Sequence, residues 1–190
     1  MSPSQTPSQT VGPFFAPSLI RPEFAAMISA ETRGDRIVIE GRIVDGDGAP
    51  VSDAMVELWQ ANADGRYDHP EDAQEKRIDP AFHGFGRTAT DQRGGFRFMT
   101  IRPGSVPTND GVPQAPHINV SIFARGLLKR LATRIYFSDE PSNASDPLLN
   151  AIPTERRQTL IARAESSPSG PAMRFDIVLQ GANETVFLDI

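Results

Sequence analysis

Few residues in this chain can do chemistry. Histidine occurs three times (His69, His83, His117), tyrosine twice (Tyr67, Tyr136) and cysteine not at all. Without cysteine there is neither a disulfide nor a thiolate metal site. Imidazole suits zinc or iron, so one reading gathers His69, His83 and His117 around a single metal ion. His117 also heads a pattern. From His117 to Ile122 polar and apolar residues alternate, with His117, Asn119 and Ser121 on one face and Ile118, Val120 and Ile122 on the other. A His-x-His pair at that spacing would aim two imidazoles at one metal, but here the second position is Asn119. Ser121 is no nucleophile for His117, because strand positions i and i+4 lie about 13 Å apart. No glycine-rich phosphate loop of the Walker type occurs.

The elements that must hold these residues read as β throughout. Residues 117–123 and 131–137 form a hairpin around the turn Arg125-Gly126. Further strands are expected at 37–44, 54–60, 88–90, 96–101, 173–179 and 185–189, each closed by Gly, Asp, Asn or Pro. Two irregular loops, 68–86 and 105–116, interrupt the pattern, and loops of that length in a compact domain tend to be functional. A helical pattern is confined to residues 147–164, broken by Pro153. The proline-rich opening predicts an extended arm over residues 1–30, carrying Phe14 and Phe15. The expected architecture is all-β: a β-sandwich over 31–190 with an extended N-terminal arm, long loops and a short helical segment near 147–164.

Composition narrows the function. At 190 residues the chain fits one domain with a sizeable core. A formal charge of −5 recommends neither nucleic acid nor an anionic membrane as partner. No apolar run approaches the ~18 residues of a membrane span. Met1 to Thr10 lacks the basic-then-apolar order of a signal peptide, so a cytoplasmic protein is expected.

Several stretches carry a resemblance. They are Thr6 to Phe14; Val56-Glu57-Leu58-Trp59-Gln60-Ala61-Asn62-Ala63-Asp64-Gly65-Arg66-Tyr67; Gly84 to Thr88; the hairpin from Ala115 to Phe137; Arg174 to Ile177; and Glu184 to Phe187. In this order they resemble the intradiol ring-cleaving dioxygenases, most closely the α-type subunit of the two-subunit members that act on protocatechuate. The resemblance runs over nearly the whole chain.

It implies a fold and a reaction. In that family a ferric ion is held by two tyrosines and two histidines, the latter as His-x-His. Here His117 alone is retained of the pair. The first tyrosine would fall near Gln74, and residues 68–83 contain none; Tyr67 is assigned to the preceding turn. Residues 105–116, where the second would lie, also contain none. The resemblance therefore implies a vestigial metal position at His117 and Asn119, no metal and no catalytic residue in this chain alone, and Fe(III) in a partner β chain. The pocket would lie at the interface, walled on this side by Thr10, Gly12, Pro13 and Phe14, with Arg134 facing an aromatic acid. Phe14 stands where tyrosine is common. The implied reaction is cleavage of protocatechuate by O2 to 3-carboxy-cis,cis-muconate in aromatic catabolism, by a higher-order αβ assembly. Two alternatives stand beside it: a self-sufficient metalloenzyme built on His69, His83 and His117, and a non-enzymatic β-sandwich binding module.

Overall fold

A computed structural model describes residues 9–12, 15–167 and 170–189. Among these, nine strands form one hydrogen-bonded sheet: β1 (Arg36–Val44), β2 (Met55–Trp59), β3 (Phe85–Ala89), β4 (Gly95–Ile101), β5 (Ile118–Phe123), β6 (Leu131–Phe137), β7 (Ile161–Ser167), β8 (Gly170–Arg174) and β9 (Ile177–Val178). The spatial order is β3-β2-β5-β6-β7-β8-β1-β4, with β9 alongside β1. The two ends of the path, β3 and β4, come against each other, so the sheet is nearly a closed barrel. The all-β expectation holds. Its sandwich form is a finer description than this single strand path.

One core fills the interior. Ile118, Val120 and Ile122 of β5 point into it with Leu58, Ile135, Phe137, Ile39, Phe98 and Phe175. Their period of two leaves Asn119 and Ser121 on the opposite face, half-buried.

The helical expectation is corrected at its C-terminal end. Helix α2 (Pro147–Ala151) and helix α3 (Thr154–Arg157) are followed by one 3-10 turn over Gln158–Leu160, and Ile161–Ser167 is strand β7. Pro153 separates the helices because it has no N–H to donate, and Ile152 before it is extended (φ −90°, ψ 138°). Ile161 and Ala162 pair in parallel with Tyr136 and Phe137. Parallel neighbours need a crossover connection, and residues 138–160 supply it.

The arm also departs from a uniformly extended one. It contains helix α1 (Phe15–Leu19) and a 3-10 turn at Pro22–Ala25. Phe24 meets Phe85 of β3 edge-on at 6.1 Å, while the Met27 amide donates to Met99 O of β4 at 2.8 Å. This part of the arm lies across the seam between β3 and β4. The expected strand at 173–179 is broken at Phe175-Asp176 into β8 and β9, and the one at 185–189 is reduced to a single bridge between Leu188 and Ala132.

Candidate functional site

Trp59, the last residue of β2, pairs with Asn119 of β5. The chain then makes a tight turn organised by Asn62, whose Oδ1 accepts from the amides of Asp64 and Arg66, both at 3.0 Å. Gly65 closes it in the left-handed region (φ +78°). A Cβ on Gly65 would lie 2.0 Å from Ser105 O, so only glycine lets the following loop pack this close. The turn sends Tyr67 back over the sheet. Its ring stacks on Trp59 (centroids 5.6 Å apart, planes at 16°), and its hydroxyl accepts from Asn119 Nδ2 at 3.1 Å.

Tyr67 follows the Asn62-to-Gly65 turn, and its phenol reaches Asn119. Gln74 spends its amide on Gly65 O and Asp72, both at 3.1 Å. The sequence held one usable signal, the Asn62-to-Gly65 turn signature. The direction in which that turn sends the chain depends on tertiary contact with Ser105.

Arg134 faces Asn119 across the hairpin. Its Nε donates to Asn119 Oδ1 at 2.9 Å and its Nη1 to Gln114 Oε1 at 2.7 Å, with Tyr136 OH at 3.5 Å. The orientation of the Asn119 amide is forced, because a flipped amide would set N–H against the guanidinium. Beneath lies a buried layer. Tyr136 OH donates to Asp146 Oδ1 at 3.0 Å, and Asp146 also accepts the Ala115 and Leu149 amides, both at 2.9 Å. His117 Nδ1 bonds Ala115 O at 2.8 Å, which fixes the proton on Nδ1 and leaves Nε2 with a lone pair. Burial, helped by the Arg134 charge, lowers the His117 pKa to about 4. Burial likewise raises the Tyr67 pKa, opposed by the Asn119 hydrogen bond and the Arg134 charge, so at neutral pH Tyr67 is a phenol.

The three-histidine reading is corrected. His83 is exposed and pairs with Asp68 at 2.7 Å, His69 sits edge-on to Trp59 at 6.4 Å, and His117 is buried under the hairpin. Among the described residues no group of three His, Cys, Asp or Glu side chains converges on a metal position. His69, Trp59, Tyr67, Gln74, Val106 and Pro107 instead line an open cleft of about 630 Å³ between the two long loops.

The arm residues sit elsewhere. Thr10 Oγ1 accepts from the Gly126 amide at 2.9 Å and approaches Ala124 O at 3.5 Å, so the arm is pinned to the β5–β6 turn. Gly12 has open space around it. Pro13 and Phe14 lie outside the described residues. The structure does not bring Arg134 to Thr10: five residues of strand, about 16 Å, separate Ala124 from Asn119. The residue between the two contacts of Thr10 is Arg125, its side chain 82% exposed and ion-paired with Asp53.

A ferric site fits these residues poorly. The donors at the position are a neutral phenol (Tyr67), an imidazole (His117) and an amide (Asn119), and a guanidinium already holds the amide oxygen. A trivalent cation calls for anionic ligands and no adjacent positive charge.

Comparisons with known proteins agree with the fold. A family model for dioxygenases matches residues 11–181. The protocatechuate 3,4-dioxygenase alpha chain of Burkholderia cepacia is 42% identical over 199 residues, covering 98% of each chain. The protocatechuate 3,4-dioxygenase beta chain of the same organism is 40% identical over 166 residues, covering 84% of this chain and 71% of that one. Among solved structures, the dioxygenase domain of a carbohydrate-binding fusion protein from Streptomyces sp. SirexAA-E superposes with a TM-score of 0.64 at 28% identity, covering 94% of this chain and 100% of that one. This chain therefore belongs to the intradiol ring-cleaving dioxygenases.

Proposed function

We propose that this chain is the α subunit of a protocatechuate 3,4-dioxygenase, with the ferric iron held by a partner β chain. Together they would cleave protocatechuate with O2 to 3-carboxy-cis,cis-muconate in an αβ assembly of higher order. The supporting observation is the full-length match to an alpha chain, combined with an Asn119 tied to Arg134 where the family places a histidine. When bound in the partner, ferric iron supplies Lewis-acid activation of the catechol.

This chain's part is to wall the partner's pocket. The arm (residues 1–30) would extend from a two-layer β-sandwich domain, and Thr10, Gly12, Pro13 and Phe14 would line the pocket. Gly12 permits close backbone approach and Pro13 fixes its direction. The charge that meets an aromatic carboxylate is then assigned to Arg125, which lies between the two residues that Thr10 contacts and is 82% exposed, in preference to Arg134, which is half-buried among its bonds to Asn119 and Gln114. Such a pocket at a subunit interface in the cytoplasm has no need of a metal in this chain.

The test is to purify the chain alone and with the β chain, and to assay iron and ring cleavage in both. Iron and turnover are expected in the pair only. Arg125→Ala in the pair should raise KM for protocatechuate roughly tenfold, as expected for a lost charge-assisted hydrogen bond. Stoichiometric iron and turnover in the lone chain would overturn the assignment.

A further inference from the structure

Four segments converge on the Asn119 position: the loop after β2 through Tyr67, the 105–116 loop through Gln114, β5 through Asn119, and β6 through Arg134 and Tyr136. A metal ion joins segments by accepting lone pairs from each. Here the joining is done by donors. The Arg134 guanidinium gives N–H bonds to Asn119 Oδ1 and Gln114 Oε1, and Asn119 passes the connection on to Tyr67. We propose that Arg134 is the resident cation of this site, a guanidinium standing where the fold builds a metal, and that its charge closes the site to metal ions. Arginine suits that post because it stays protonated at any accessible pH and presents its donors in a fixed plane.

Asn119 and Gln114 are the matching acceptors. Amide oxygens satisfy N–H donors without adding charge, so no carboxylate bonds the guanidinium directly, and the nearest, Asp146, lies one layer below behind Tyr136. The loss of the second histidine is therefore one half of a replacement whose other half is Arg134. On this view, restoring the histidine does not restore the metal while the guanidinium remains. The retained lone pair at His117 Nε2 and the Tyr67 phenol leave donors for a metal once it is removed.

This inference rests on the family reading of the site but not on the identity of the partner, so its test uses the full chain alone. Three variants are loaded with ferric iron and desalted: Asn119→His, Arg134→Gln, and both together. Asn119→His should retain no more iron than wild type. The double variant should retain at least about tenfold more, the size of effect that outer-shell charges have on metal affinity. It should also show a visible phenolate-to-ferric absorption band that Tyr67→Phe abolishes. Arg134→Gln alone should lower Tm by several degrees. Adding Asn119→His to Arg134→Lys, which keeps a cation, should still exclude iron, and this arm decides the matter if the double variant does not fold. Iron retained by Asn119→His alone, iron admitted beside Lys, a folded double variant that stays empty, or an unchanged Tm for Arg134→Gln would each overturn the proposal. Iron in the unaltered chain would instead overturn the α-subunit assignment, so the two failures read differently.

Discussion

An imidazole held neutral inside a protein makes stability depend on acidity. His117 is 3% exposed and its pKa falls from 6.5 to about 4 through burial and the neighbouring Arg134 charge. The folded value lies below the unfolded one, so between them the unfolded chain binds the extra proton. Stability from this residue is fully present above pH 6.5 and is lost as the pH falls towards about 4, by roughly 3 kcal/mol. Urea unfolding from pH 7 to pH 4 should show the loss, and His117→Gln should flatten the profile in that window. A slope unchanged by the substitution would assign the acid sensitivity to other groups. Asn119 was legible in the sequence as a departure from His-x-His, because a period of two fixes its face. Its contacts with Tyr67 and Arg134 were not, since the Asn62-to-Gly65 signature marks a turn without saying where it sends the chain, and the hairpin register has no local signature.

At the scale of elements, strand positions followed from alternation, and β1, β2, β4, β5 and β6 lie close to where the pattern puts them. The error at the end of the helical segment has one cause. Ile161 to Ala164 continue an apolar spacing compatible with helix, but a parallel partner, β6, recruits them as strand. The helical face of residues 147–160 is only two short helices and a 3-10 turn, each too short to stand alone and held by packing of Leu149, Ile152 and Leu160 on Tyr136. The turn at Asn62-Gly65 is the element on which the site hangs. Gly65 has positive φ and no room for a Cβ against Ser105 O. Gly65→Ala should destabilise the fold by about 3 kcal/mol and pull Tyr67 away from Asn119. Equilibrium unfolding and the loss of Tyr67 burial in ultraviolet difference spectra would check both; an undisturbed Tyr67 would show that the turn does not aim it.

Across the molecule, the arm has two jobs that its residues divide. Thr10 touches the domain at the β5–β6 turn. Residues 22–27 cover the seam where β3 meets β4, with Met27 filling the space over Gly86. Removing residues 1–12 should leave Tm within about 2 °C of the full chain while impairing activity with the β chain. Removal through Met27 should bare strand edges and give concentration-dependent light scattering. A monomeric, stable product of the longer deletion would show that the seam seals itself. Asp146 bears on the whole in a different way. One carboxylate receives the amide of a loop, the hydroxyl of a strand and the amide of a helix, so Ala115, Tyr136 and Leu149 share a single anchor. The outward crossover of residues 138–160, which passes for a mere connector, is thereby geared to the floor beneath His117. A partner that presses on α2 from outside pushes, through one side chain, on the ground under His117 and Arg134.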